Sequence, residues 1–532
     1  MKQRKFNTAG PSVAGDHYMI DPLARIDLPE IETLIEDARY FVLHAPRQTG
    51  KTTSLLALME HLNREGRYRT LYCNIEGAQA ARGDMEQGIS IACSALANAA
   101  DFYLADKSLL AWLQGTGQHT PAGDRWRQLL AFWSAADPRP TVLLLDEVDA
   151  LVGDTLISLL RQIRAGYAQR PTAFPQTIIL CGVRDVRDYR IHTAHHEIIT
   201  GGSAFNIKAE SLRLGNLTRE ETMALWRQHE TETGQSIDTA IYPELWEDTQ
   251  GQPWLVNALG YELTWKDKSA RDRSVPLTLE HYKAARERLI QGRATHLDQL
   301  TDKLREPRVH RVICALLDGD AAMENVPDDD QHYVEDLGLI RTRPQLAIAN
   351  RIYREVIPRD LTWVTQTRIA HDQPWYITPQ RRIDLPKLLN AFQQFFREQS
   401  ESWMETFAYK EAGPQLLLQA FLQRIVNGGG RINREYGLGR RRTDLFLEWP
   451  IDEVQGYLGP VQRVVIELKL LKKAPEATLA EGLEQTADYA DRCGADEAYL
   501  ILFDRRPGKR WDERIWQRQE PLGDRTIGVW GM

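Results

Sequence analysis

Residues 45–53 read Ala-Pro-Arg-Gln-Thr-Gly-Lys-Thr-Thr, between an apolar run at 40–44 and an apolar helical stretch at 53–62. A phosphate chain needs close backbone approach, inward-pointing amides and a cation. Gly50 supplies the tight turn, Lys51 can reach β- and γ-phosphates, and Thr52 can bind Mg²⁺. The loop Pro46, Arg47, Gln48, Thr49, Gly50, Lys51, Thr52 and Thr53 is therefore the expected seat of ATP. Ala45 stands where the pattern G-x-x-x-x-G-K-[ST] has its first Gly. Further on, Val142-Leu143-Leu144-Leu145 leads into Asp146 and Glu147. A buried strand ending in two acids suits a second task at the same phosphates. Asp146 would hold Mg²⁺ through water, and Glu147 would polarise the attacking water. The plain alternative, two solvated carboxylates at a strand end, is weakened by the phosphate loop upstream. Arg184 closes a further apolar strand, 177–181, where it either senses the γ-phosphate or lies on the surface as an ordinary arginine.

A second constellation lies at 411–489. Asp444 opens an apolar run, and Glu467 and Lys469 share one face of another strand at period two. Gln485 and Tyr489, four residues apart, share a helix face. Hydrolysis of a phosphodiester requires carboxylates that hold a divalent metal and a group that orients water. Asp444 and Glu467 suit the first role and Lys469 the second. Arg431, Arg434, Arg440, Arg441 and Arg442 precede Asp444, with Tyr436 among them. They form either a phosphate-neutralising patch or a solvated charge run.

These residues require positioning elements. Strand and helix signals alternate from about 40 to 215, which implies a parallel α/β sheet. Residues 216–306 look helical and open on a capping box, Thr218 with Glu221. Residues 307–361 combine helices with short strands, 362–384 reads as a linker, and 385–532 forms a last α/β unit. The run Asp328-Asp329-Asp330 is expected to be a solvated loop or a helix cap.

The order of phosphate loop, second strand with its acid pair and third strand resembles the additional-strand class of P-loop ATPases. Residues 40–300 resemble AAA-like and STAND-type ATPases. Gly251-Gln252-Pro253 matches the GxP motif of the STAND lid, and 307–361 resembles the winged helix that follows it. The set Asp444, Glu467, Lys469, Gln485 and Tyr489 resembles the PD-(D/E)XK nucleases of the RecB-like type, with Thr443 where that family usually has Pro. The resemblance implies Mg²⁺ or Mn²⁺ at Asp444 and Glu467, with a further acid from a preceding helix, for which Glu411 is the candidate. It also implies a catalytic role for Gln485. The fold expected is thus a P-loop NTPase sheet with helical lid and winged helix (1–215, 216–306 and 307–361), then a C-terminal nuclease-like domain.

Composition sets bounds on this reading. Apolar residues are 42% and charged residues 26% of the 532, which suits a globular chain with a sizeable core. The net charge of −8 does not by itself advertise nucleic acid. Five scattered cysteines argue for a reducing compartment and against structural zinc. His192, His195 and His196 read as a polar loop. No run approaches the about 18 apolar residues of a membrane span. The expectations are a cytoplasmic protein that binds ATP and DNA, forms a homo-oligomer and does without a membrane. The regulatory alternative is an ATP switch whose C-terminal domain binds DNA or protein without cutting.

Overall fold

The computed structural model describes residues 3–183, 190–192, 198–200, 207–292, 302–318, 326–343, 345–361, 376–406, 418, 421–422, 430–436, 443–452, 455–471, 475–504, 506 and 509–532. Arg184, His195, His196, Glu411, Arg440, Arg441 and Arg442 lie outside them, as do the side chains of His192, Arg434, Tyr436 and Asp444. The chain divides into two compact units, Met1–Leu277 with Glu335–Gly338, and Thr278–Val334 with Leu339–Met532. The boundary at Leu277 falls inside the span 216–306 that reads as one helical segment in the sequence.

The first unit is built on a five-stranded sheet. Its strands are β1 (Tyr40–His44), β2 (Arg69–Asn74), β3 (Thr141–Asp146), β4 (Thr177–Gly182) and β5 (Lys208–Arg213), in the order β2-β3-β4-β1-β5. Every pairing in it is parallel. Parallel strands joined by helical crossovers are covered on both faces, so they read as unbroken apolar runs. In β3 all six residues are buried. Leu143, Leu145, Ile178 and Leu180 pack on one side with Ile89, Leu96, Trp126 and Leu160. Val142, Leu144 and Ile179 pack on the other with Ile31, Ile35, Leu55 and Leu58. At about 1.5–3 kcal/mol for each fully buried large apolar side chain, these two layers dominate the stability of the unit. Between β2 and β3 run the helices Met85–Leu104, Ser108–Gln114 and Ala122–Ala135, which the alternation seen in the sequence does not single out.

Helices Arg219–Thr233, Ile241–Thr249 and Pro253–Tyr261 follow the sheet. The capping box forms as expected, with Thr218 Oγ1 accepting from Glu221 N at 3.1 Å and Glu221 Oε2 accepting from Thr218 N at 2.7 Å. Gly251 has φ +69°, and a Cβ there would sit 1.9 Å from the carbonyl oxygen of Leu217, so only glycine fits. Pro253 then occupies the first turn of the next helix, where its missing N–H has no partner to lose.

His229 sits in this helical part, 1% exposed. Its Nε2 meets Gln235 Oε1 at 2.9 Å and its Nδ1 meets the Tyr18 hydroxyl at 3.3 Å. The Gln235 amide nitrogen donates to Ala270 and Val275 carbonyls, so its oxygen must be the acceptor, Nε2 carries the proton and Nδ1 accepts from Tyr18. Burial lowers the pKa of this imidazole. The unfolded chain therefore takes up a proton, near pH 6.5, that the folded chain refuses. Stability from this site is complete above that pH and is lost as pH falls below it. The melting temperature should drop more between pH 7.5 and 5.5 for the wild type than for His229→Gln; equal slopes would dismiss the site as a source of acid sensitivity.

The second unit holds a six-stranded mixed sheet. Its strands are β6 (Arg431–Tyr436), β7 (Thr443–Pro450), β8 (Val461–Leu471), β9 (Glu497–Asp504), β10 (Trp516–Leu522) and β11 (Arg525–Gly531), in the order β6-β7-β8-β9-β11-β10. β6, β7 and β8 pair antiparallel, and β9 is parallel to β8 through the crossover helix Pro475–Cys493. Helix Leu385–Thr406 supplies Leu388, Leu389 and Phe392 to the core on the opposite face. The stretch 376–384, which reads as linker, instead joins this unit. Tyr376 and Ile383 are buried in that core, Ile383 N donates to Gln462 Oε1 at 2.7 Å, and Trp449 Nε1 donates to the Arg381 carbonyl at 2.8 Å. Ahead of them, helices Pro307–Asp318 and Asp328–Asp336, paired short strands Ile340–Arg341 and Ala347–Ile348, and helix Arg351–Leu361 succeed one another. The run Asp328-Asp329-Asp330 forms the first turn of helix Asp328–Asp336, and Asp330 is not solvated: it is 6% exposed and takes Arg308 Nε at 2.6 Å and Arg311 Nη1 at 2.5 Å. Among the described residues no helix is long and apolar enough to cross a membrane.

Candidate functional site

Strand β1 ends at His44, and the chain turns through Ala45–Gly50 into helix Lys51–Glu65. The left-handed positions of this turn are Gln48, at φ +59°, and Gly50, at φ +93°. Ala45 is not among them, which is why a residue with a Cβ can stand where the motif has its first glycine. The Ala45 amide instead extends the sheet by donating to the Gly182 carbonyl at 3.2 Å. Thr49 Oγ1 donates to the Pro46 carbonyl at 2.8 Å and closes the loop on itself. Lys51 is 6% exposed, and its Nζ lies 3.0 Å from the Ala45 carbonyl and 3.1 Å from that of Pro46. The ammonium is thus held inside the ring of backbone that would cradle a phosphate. Arg47 is exposed at the rim, and Thr53 Oγ1 accepts from Ser12 N at 3.2 Å.

Two contacts onto this loop were not legible in the sequence. Arg25 donates to the Thr49 carbonyl at 2.7 Å and to the Gly215 carbonyl at 2.8 Å. A Cβ on Gly50 would come within 2.7 Å of that guanidinium. From the other side, a Cβ on Gly338 would lie 2.8 Å from Pro46 Cγ, and Asp336 reaches to 3.9 Å of His44. The segment Glu335–Gly338 therefore packs on the phosphate loop, and Arg213 Nη2 donates to the Glu335 carbonyl at 2.9 Å.

Asp146 ends β3 with no exposure at all. Its Oδ2 accepts from Thr52 Oγ1 at 2.8 Å and from the Tyr72 hydroxyl at 2.9 Å, and its Oδ1 accepts from Glu147 N at 2.9 Å. Glu147 adopts φ +58°, uncommon for a residue with a side chain. Its side chain is half-buried. Burial pushes that carboxyl pKa up; the Lys51 ammonium opposes the shift, and Asp149 and Asp146 add to it. Asp149 Oδ2 accepts from Val183 N at 3.2 Å and ties the loop after β3 to the end of β4.

In the second unit, Glu467 is fully buried on β8, with Lys469 Nζ 2.9 Å from its Oε1. Lys469, 7% exposed, also donates to Gln485 Oε1 on the crossover helix. That helix can lie close because Gly482 faces the sheet; a Cβ there would stand 2.9 Å from Leu500 and 3.4 Å from Lys469 Cγ. Leu445 pairs with Ile466, so the backbones of Asp444 and Glu467 are neighbours at that end of the ladder. The structure thus brings Glu467, Lys469 and Gln485 together, with the Asp444 backbone alongside, and Tyr489 stands buried one turn beyond Gln485. Arg431 does not belong to a phosphate-facing patch. It is 5% exposed, its guanidinium lies 3.5 Å from the centroid of the Tyr457 ring, and Glu280 is 3.9 Å away. Pairing with Glu448 puts it near the far end of the strands from Asp444.

Comparison with known proteins adds to this geometry. Residues 35–189 match the model of the AAA domain. The chain carries an ATPase domain of the AAA, P-loop type. No curated protein matches it. Among solved structures it is similar to the Walker-type ATPase of Pyrococcus abyssi, at 15% identity over 66% of this chain and 99% of that one, with a TM-score of 0.47. It is similar to the ORC2 protein of Aeropyrum pernix, at 15% identity over 66% and 97%, TM-score 0.40. A third, the RuvB Holliday junction branch migration motor of Thermotoga maritima, is 12% identical over 62% and 95%, TM-score 0.32.

The AAA domain has a donor set that fits Mg²⁺ with a nucleotide. A hydroxyl and a carboxylate, Thr52 and Asp146, lie 2.8 Å apart beside a caged ammonium. Such hard oxygen donors suit an ion that keeps several waters and takes the rest of its ligands from phosphate. The ion would supply charge neutralisation at the phosphates. Of this chain's own residues, Lys51 and the loop amides would bind the phosphates, and Glu147 would take up a proton from water.

Proposed function

We propose that the chain is an ATP-controlled, metal-dependent nuclease acting on DNA, in which the AAA domain governs the C-terminal sheet. The observation that carries the reading is the Glu467–Lys469–Gln485 set, a fully buried carboxylate held beside an ammonium that a helix amide fixes in place. Burying an ion pair is expensive, and packing alone would be better served by apolar residues of the same volume. Asp444 and Glu467 offer the oxygen donors that a hard divalent ion takes, Mg²⁺ or Mn²⁺. Bound there, the ion would polarise a phosphodiester oxygen. Lys469 would orient the attacking water, and Gln485 holds Lys469. Glu411 as a further metal ligand, Arg184 as a γ-phosphate sensor, the winged helix at 307–361, a homo-oligomer and a cytoplasmic setting belong to the same reading.

A second reading is favoured by one contact. The packing of Gly338 on Pro46 suits a regulatory switch, in which nucleotide displaces Glu335–Gly338 from the phosphate loop and the C-terminal domain binds DNA or protein without cutting. Incubating the purified chain with supercoiled plasmid, with and without Mg²⁺, Mn²⁺ and ATP, separates the two. The nuclease reading expects nicked or linear product only with metal. Intact plasmid under every metal and nucleotide condition would leave the switch.

A further inference from the structure

Tyr72 is a buried tyrosine, 5% exposed, whose hydroxyl spends its hydrogen bond on Asp146. It lies on β2, next to β3, where it pairs with Leu144 while Asn74 pairs with Asp146. Its backbone N–H meets Met59 Sδ at 3.4 Å, and its ring takes Tyr103 edge-on at 5.9 Å. The ring is therefore fixed from strand, helix and edge, and the hydroxyl arrives at the carboxylate at 2.9 Å.

The three donors on Asp146 have different futures. Thr52 Oγ1 is itself a ligand expected for Mg²⁺, through a lone pair that its O–H leaves free, so the direction of its bond to Oδ2 is set by the ion and nucleotide. The Glu147 amide and the Tyr72 hydroxyl have no such competing role. They remain, one on each oxygen, and together they define the plane of the carboxylate. Outer partners of this kind orient a ligating group and tune it, and their loss typically lowers metal affinity about 10–100-fold. We propose that Tyr72 is a positioning residue of the nucleotide site, holding the Asp146 carboxylate in the orientation that accepts magnesium together with ATP. It touches neither nucleotide nor ion. Without it, the Glu147 amide would be the one donor left that fixes the Asp146 carboxylate independently of the ion.

The test uses Tyr72→Phe in the full-length chain, which keeps the ring against Tyr103 and removes only the donor. The readout is the ratio of affinities for a fluorescent ATP analogue with and without Mg²⁺, measured by titration. The ratio should fall at least about tenfold from its wild-type value. Asp146→Asn gives the second arm. Adding Tyr72→Phe to Asp146→Asn should change the ratio no further, because the hydroxyl acts through that carboxylate. A wild-type ratio in Tyr72→Phe would reduce the tyrosine to packing. Additive losses in the double variant would place its effect elsewhere, and a wild-type protein indifferent to Mg²⁺ would remove the premise; each result overturns the proposal.

Discussion

Glu147→Gln should slow ATP hydrolysis by about 10²–10⁴-fold while ATP stays bound, the range that a positioned general base contributes. The substitution keeps the shape and the left-handed turn at φ +58°, and removes only the group that can take a proton from water. Binding is expected to rest on other residues: the loop amides, Lys51 and Thr52. Steady-state phosphate release measures the first effect, and titration with a fluorescent ATP analogue the second. The pH profile gives an independent check. The carboxylate is the working form, and burial raises its pKa. Hydrolysis by the wild type should therefore fall off at a pH above the ordinary glutamate value of about 4.3 as the solution is acidified. The residual rate of Glu147→Gln should lack that limb. Unchanged turnover would pass the role to Asp149, whose Oδ2 is already engaged by Val183 N.

Lys469→Met and Glu467→Gln should each remove DNA cleavage, by about 10²–10⁴-fold, and leave ATP hydrolysis at its wild-type rate. The two candidate sites lie in separate compact units, so a lesion in one should spare the other. Stability distinguishes the two variants. Removing the ammonium leaves Glu467, with no exposed surface, short of its counter-charge, and breaking a buried pair costs about 3–5 kcal/mol. Lys469→Met should therefore lower the unfolding temperature in the absence of metal, and Glu467→Gln, which leaves the partly wetter cation, should lower it less. Plasmid nicking in Mn²⁺ beside phosphate release from the same preparation gives both readouts, and a cooperative unfolding transition of the second unit in each variant shows that it is folded. Cleavage that survives both changes would dismiss this site.

What could be read without coordinates is local in the chain. The phosphate loop is a strand end, a turn and a helix start, all within 45–53, and the residue types follow from what a phosphate needs. The acid pair after Val142–Leu145 is legible for the same reason, because a strand buried on both faces must be apolar until it reaches a place where an acid finds polar partners. The period-two spacing of Glu467 and Lys469 and the four-residue spacing of Gln485 and Tyr489 put each pair on one face. A capping box reports a helix start from four consecutive positions, Thr218–Glu221. Each of these signals is carried by neighbours along the backbone, where geometry follows directly from bond angles and helix or strand period.

The tertiary structure decided what separation along the chain hides. That β4 lies between β3 and β1 depends on crossovers, and no residue type announces it. Tyr72 lies 74 positions from Asp146 and looks like any aromatic in an apolar strand until parallel pairing brings β2 alongside β3. Arg25 and Gly338 reach the phosphate loop from 24 or more positions away, for packing reasons that carry no motif. Arg431, one of a run of basic residues in the sequence, is buried on Tyr457, and 376–384, polar enough to read as a linker, is pinned to Gln462 and Trp449. For Tyr72, Arg25, Gln462 and Trp449 the deciding force is the need of a buried polar group for a partner. Which partner stands within reach is settled only when the apolar layers have closed and excluded water.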